Sequence, residues 1–418
     1  MLQRGLDNRD PYVTSIPPAG TGVDSPYAWM RLTAAMVLGT VGGAGMWSVP
    51  VALPAVQAEF GIARGQASLP FTLAMLGFAL GGVVMGRFSD RRGIVPPLAT
   101  GAIAISLGYV AAGFAANLWL FALAYALLGF GTSATFGPMM ADLSQWFTRR
   151  RGIAVAVASS GNYVAGTIWP PVIEHFIARD GWRATHIGIG VFCAVAMLPL
   201  LLALRRKTPA HAATVGATAL GAQGSLGLSP NALQVLLCVA GLACCVAMSM
   251  PQVHIVAYCG DLGYGPARGA EMLSVMLGFG IVSRLATGAI ADRVGGVATL
   301  LLGSTLQGVA LLLYLFFDGL TSLYVISALF GLFQGGIVPS YAIIIREYFP
   351  PREAGTRIGL VIMATLFGMA LGGWMSGAIF DFAGSYRAAF ANGLAWNLLN
   401  VTIATWLLVR SGRRMAFA

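Results

Sequence analysis

The sequence predicts an all-α polytopic membrane protein, with twelve transmembrane helices in two pseudo-symmetric six-helix bundles. Three observations lead there. Hydrophobic residues make up 57% of the chain and charged residues only 10%, where soluble domains are about one-quarter charged. The apolar stretches run to about 20 residues, the length that crosses a ~30 Å hydrocarbon core. Gly86, Asp90, Arg91 and Gly93 recur as Gly288, Asp292, Arg293 and Gly295, each pair 202 residues apart, which marks an internal repeat.

Taken in order, residues 1–28 are polar and dotted with Pro and Gly, without the short apolar run of a cleaved signal. They are expected to form a disordered tail. The first bundle is expected over 29–204, with spans near 29–56, 68–87, 96–115, 118–142, 152–173 and 185–204. Gly42, Gly43, Gly45, Pro50 and Pro54 in the first span suit a helix that breaks or bends, a feature of transport sites, or one that packs tightly. Trp47 beside them is an amphipathic ring suited to a cavity wall, to a lipid-facing position or to helix packing. The small-residue run of the fifth span is interrupted by Asn162 and Tyr163. Buried amides of this kind glue helices together or meet a ligand.

Residues 205–230 are rich in Gly, Ala and Ser and have no periodicity, as in a flexible linker. The second bundle follows over 231–410, with spans near 231–257, 270–291, 297–317, 321–345, 357–380 and 387–409, and residues 411–418 form a short tail. His254, on the seventh span, is either an anion donor or a core histidine bonded to a carbonyl freed by Pro251. Gln334 interrupts the tenth span as Asn162 does the fifth. Trp374, on the eleventh, has the same three roles open to it as Trp47.

The eighth span holds the exception. Arg284 lies in an otherwise uncharged run between Glu271 and Asp292. An arginine at a membrane-helix centre costs about 2.5–3.5 kcal/mol on the insertion scale and is kept there for a partner or a ligand. Its repeat-mate is Gly82, so the two-fold scaffold does not require it. Gly280 and Gly288 lie one turn to either side on the same face. All 15 acidic residues fall in tails, loops or helix ends. A planar guanidinium fork suits bidentate capture of a carboxylate, and a substrate is the simplest missing partner.

The net charge of +10 is not a nucleic-acid signal. Of 25 basic residues, 19 fall on the side of the termini, in clusters such as Arg87, Arg91 and Arg92, or Arg149, Arg150 and Arg151. Five (Arg64, Arg179, Arg183, Arg268, Arg387) fall on the other side. This positive-inside pattern predicts an integral membrane protein of a bacterial inner membrane with both termini cytoplasmic. The five cysteines lack metal-ligand spacing and read as small core residues. No metal, no cofactor and no nucleic-acid partner is expected, and a monomer is. There is no Gly-x-x-x-x-Gly-Lys-Ser/Thr loop for ATP, no catalytic constellation and no sizeable soluble domain. This argues against a pump, an enzyme or a sensor.

The loop Gly86-x-x-x-Asp90-Arg91-x-Gly93, with its echo after the eighth span, resembles the signature of the major facilitator superfamily over residues 29–410. The resemblance implies alternating access around a central cavity. It also implies a latch on the cytoplasmic side: Asp90 near a helix N-terminus of the other half, and Arg91 or Arg92 near an acid of the fourth span, the place of Asp142. Asp292 and Arg293 repeat the pattern. The alternative is that these charges only fix topology.

The aromatic pair Trp146 and Phe147 before the basic cluster, the small-residue fifth span and the lone arginine of the eighth resemble the monocarboxylate transporter and oxalate/formate antiporter group. There the arginine anchors a carboxylate, and Arg284 matches it. Animal monocarboxylate carriers place an aspartate where this chain has Gly280, and a lysine after a proline where it has Val51. The expected function is secondary active transport of a small organic anion, a monocarboxylate or short dicarboxylate, coupled to a proton or a counter-anion. The alternative is export of a drug-like or neutral solute, with Arg284 structural.

Overall fold

The computed structural model describes residues 22–147, 151–206 and 227–415. The N-terminal tail before residue 22, most of the expected linker, the basic cluster at Arg149 and Arg150 and the last three residues lie outside the described residues.

Every regular element among the described residues is helical. The first span is two helices, α1 (Pro26–Gly42) and α2 (Ala44–Phe60), and a four-residue helix α3 (Arg64–Ala67) follows. Next come α4 (Leu69–Arg92) and α5 (Val95–Gly113), then α6 (Leu118–Thr132), a 3-10 turn and α7 (Gly137–Trp146), which together make the fourth span. α8 (Arg151–Leu200) contains the fifth and sixth spans, parted only at Gly181 (φ 80°, ψ 158°). The second bundle runs α9 (Pro230–Asp261), α10 (Pro266–Val294), α11 (Gly296–Phe316), α12 (Leu320–Gln334), α13 (Ile337–Tyr348), α14 (Pro351–Ala383) and α15 (Tyr386–Met415).

Ten helical stretches among the described residues are long and apolar enough to cross a membrane, and one of them, Val157–Leu204, contains the Gly181 kink. α15 stands outside the ten for a physical reason. Asn397 and Asn400 lower its apolarity, but both are buried and bonded: Asn397 donates to the Ser304 carbonyl at 3.0 Å, and Asn400 donates to Ser304 Oγ at 2.7 Å and accepts from the Tyr341 hydroxyl at 3.0 Å. Their side chains turn into the bundle, where Asn397 Oδ1 stays buried without a partner among the described residues. Large apolar side chains such as Leu80, Phe114, Leu123 and Phe316 face outward, as they do on a lipid-facing surface. The protein is an integral membrane protein.

The repeat extends to the contacts. A Cβ at Gly129 would stand 1.9 Å from the Ala74 carbonyl oxygen, and one at Gly331 would stand 1.8 Å from that of Met276. All four positions obey the 202-residue offset, so α6 crosses α4 as α12 crosses α10, at backbone contact that only glycine permits. The fourth and tenth spans also break at matching points, Ser133–Thr135 and Gly335. The first span breaks at Gly43, whereas its counterpart α9 is continuous there. Between the halves, α4 meets α14, α8 meets α10, and α2 meets α9.

Candidate functional site

Arg284 projects from α10 toward α8, across the seam between the halves. Its Nη1 donates to the Ser159 carbonyl at 3.1 Å, and its guanidinium carbon lies 4.3 Å from the centre of the Tyr163 ring. Its Nε is buried with no partner among the described residues, and none of the ion pairs among them involves Arg284. Neutral groups hold this cation in part.

The other expected site residues divide. Asn162 lies beside Tyr163; its carbonyl accepts the Trp47 indole N–H at 3.0 Å, its amide contacts Met46 Sδ, and its Oδ1 is buried without a partner among the described residues. Trp47 is buried and satisfied, a post between α2 and α8. Gln334 sits at the break of the tenth span. It accepts from Gln252 at 3.0 Å and keeps its own Nε2 buried and unpaired among the described residues. Gln252 was not singled out in the sequence, although it lies two residues from His254.

His254 is not free for a ligand. Its Nε2 is 2.8 Å from the Gly373 carbonyl and its Nδ1 is 3.0 Å from the Tyr386 hydroxyl. The carbonyl fixes Nε2 as the protonated nitrogen, so Tyr386 donates to Nδ1. This is the core role, with a carbonyl of α14 in place of one freed by Pro251. Trp374 is 41% exposed, on one face of α14 with Leu360 and Phe367.

Tyr386 also leads to a cluster that sequence reasoning missed. Arg64, buried at the start of α3, donates to both oxygens of Asp261 (2.9 and 3.1 Å), to the Tyr386 hydroxyl (2.7 Å) and to Gln57 (2.6 Å). The backbone amides of Arg64 and Gly65 each donate to Asp381, at 2.8 and 2.7 Å. One arginine of the first half thus meets two carboxylates and a tyrosine of the second. The ends of the spans are fastened together on the side opposite the termini.

On the side of the termini, Asp90, Arg91, Asp292 and Arg293 are exposed and form no ion pair among the described residues. Gly86 and Gly288 face open space. Gly93 and Gly295 end α4 and α10 with φ 78° and 81°, a conformation that glycine adopts at little cost because it has no Cβ. The expectation for Asp142 is corrected: its partner is Arg31, not Arg91 or Arg92. Arg31 Nε and Nη2 each reach Asp142 at 2.8 Å, and Nη1 donates to the Leu204 carbonyl at 2.9 Å. Both groups are buried, with Arg31 1% and Asp142 7% exposed. The pair ties the first, fourth and sixth spans within one half, because Arg31 points inward from α1 while Arg91 and Arg92 are exposed. The hydrogen bonds joining the halves include those of the Arg64 cluster, the Thr72 hydroxyl to the Ala370 carbonyl, the Ser274 hydroxyl to the Thr167 carbonyl, and Arg284 to the Ser159 carbonyl.

A family model described as Major Facilitator Superfamily matches residues 35–322 and 237–417. Monocarboxylate transporter 13 of Bos taurus is 30% identical over 333 residues, which is 78% of this chain and 75% of the relative. Monocarboxylate transporter 11 of Homo sapiens is 26% identical over 391 residues, 89% of this chain and 81% of the relative. Among solved structures, a bacterial homologue of the human lysosomal transporter Spinster, inward-facing and occupied, is similar in fold. The TM-score is 0.69 at 15% identity, covering 93% of this chain and 96% of that one.

Proposed function

The chain belongs to the major facilitator superfamily of transporters, and from that premise we propose that it is a secondary active transporter of a small organic anion. The anion is a monocarboxylate or short dicarboxylate, and Arg284 is its anchor. The observation behind this is a fixed cation at the seam between the halves, held by a carbonyl and a ring face with no carboxylate partner among the described residues. The relatives named as monocarboxylate transporters support the substrate class.

In this mechanism the anion enters from the side of the termini, opposite the Arg64 cluster, and replaces the Ser159 carbonyl on the guanidinium with a charge-assisted pair. Pairing neutralises a charge that is costly at membrane depth, so the loaded carrier rocks between its two states more readily than the empty one. Binding drives that change only in so far as it favours the occluded state. Asn162 Oδ1 and Gln334 Nε2, unpaired among the described residues, offer an acceptor and a donor for the rest of the ligand. A coupled proton or counter-anion completes the cycle, and Gly280 provides no carboxylate to take the proton. Both termini are cytoplasmic and the carrier is a monomer in this proposal.

Uptake into vesicles of labelled lactate, pyruvate, formate and oxalate, with and without a pH gradient, tests the substrate class. Saturable uptake of at least one carboxylate is expected. Movement of a lipophilic cation or a neutral solute, with none of the four anions carried, would instead support export with Arg284 as a packing residue.

A further inference from the structure

Arg284 belongs to one half, and the groups that hold its guanidinium, Ser159 and Tyr163, lie one turn apart on α8 in the other. Tyr163 is 7% exposed, and its carbonyl accepts the Thr167 hydroxyl at 2.8 Å. What seats its ring is a missing side chain. A Cβ at Gly280 would stand 2.3 and 2.6 Å from Cε1 and Cδ1 of Tyr163, so the ring fills the notch that Gly280 leaves. Gly288, one turn beyond Arg284, has nothing within 4 Å of its would-be Cβ. The two-fold repeat accounts for none of these residues: 202 residues away, Gly280 corresponds to Phe78, Tyr163 to Thr365 and Arg284 to Gly82.

An aromatic face against a guanidinium leaves the N–H edges of the fork free, and those edges are where a carboxylate binds. The ring also restricts a long, rotamer-rich side chain before the ligand arrives, and such preorganisation appears as affinity. We infer that Tyr163, seated in the Gly280 notch, is a positioning residue for the transported anion: it sets the Arg284 fork through its ring face, without itself bonding the carboxylate. This rests on Arg284 being the carboxylate anchor.

The test measures uptake of labelled pyruvate, lactate, formate and oxalate by the full chain in proteoliposomes, with KM and maximal rate separated. Tyr163→Phe keeps the ring and leaves KM within about twofold of the parent. Tyr163→Leu removes the ring face and raises KM about tenfold, the ratio equivalent to ~1.4 kcal/mol of cation–π attraction, with the maximal rate little changed. Gly280→Ala displaces the ring and raises KM in the same way. The double variant is no worse than Tyr163→Leu alone, because no ring remains to displace.

An unchanged KM in Tyr163→Leu, equal losses in the Phe and Leu variants, or fully additive effects would overturn the positioning role. If Tyr163→Leu does not fold, Gly280→Ala against Tyr163→Phe decides: a parental KM in Gly280→Ala contradicts the role. Arg284→Ala separates the two readings. Loss of uptake there with an unchanged KM in Tyr163→Leu defeats only the positioning role, whereas full uptake in Arg284→Ala defeats the anchor itself.

Discussion

Arg31 and Arg284 are both arginines inside the helical bundle, and they are held in opposite ways. Arg31 has a bidentate carboxylate, a carbonyl and the Trp146 ring, its guanidinium carbon 4.8 Å from the ring centre. Arg284 has a carbonyl, a ring face and a buried Nε without a partner among the described residues. Removing one member of a buried pair leaves a charge uncompensated, at about 3–5 kcal/mol. Asp142→Asn is therefore expected to lower the thermal unfolding midpoint of the purified protein sharply, while Arg284→Ala, which breaks no ion pair among the described residues, leaves it near the parent. An equal fall in both variants would make Arg284 structural. Arg284 was legible in the sequence because an isolated charge in a long apolar run needs no structure to be noticed. The Arg31–Asp142 pair was not, because its partners are 111 residues apart and Arg91 and Arg92 offered an alternative within a known motif. Tyr163 and Gly280 were each noted, but their interlocking depends on where two helices cross.

At the scale of elements, the repeat was the most readable feature, and it extends to the backbone contacts at Gly129 and Gly331. An alanine at either position must push its helix off a carbonyl. Gly129→Ala and Gly331→Ala are each expected to lower stability by about 1–3 kcal/mol and by similar amounts, as their matched contacts require. A large difference between them in thermal unfolding would contradict the matched packing. Element boundaries were less legible. The fifth and sixth spans run nearly end to end because Gly181 alone turns the chain, and the breaks in the fourth and tenth spans went unnoticed beside the more conspicuous glycines and prolines of the first. The hydropathy of α15 understates its place in the bundle, since a sum over side chains does not register that Asn397 and Asn400 bond inward.

At the scale of the whole molecule, the halves are fastened at one end by Arg64 with Asp261, Asp381 and Tyr386. Its ion pair spans 197 residues and its tyrosine contact 322. Its repeat-mate is Pro266, so neither motif nor symmetry pointed to it. Arg64→Ala is expected to free that end: spin labels replacing Gln66 and Phe382, one exposed position in each half, should gain a longer-distance population. An unchanged distance distribution would show that helix packing alone keeps that end closed. On the proposed mechanism a substrate carboxylate supplies the ion-pair partner that Arg284 has nowhere among the described residues. The most direct measurement is the initial rate of carboxylate uptake into proteoliposomes by folded Arg284→Ala and Arg284→Lys beside the parent protein. Uptake is predicted to disappear in the alanine variant and to remain poor in the lysine variant, whose single point charge cannot form the fork. Parental uptake in Arg284→Ala would contradict the account.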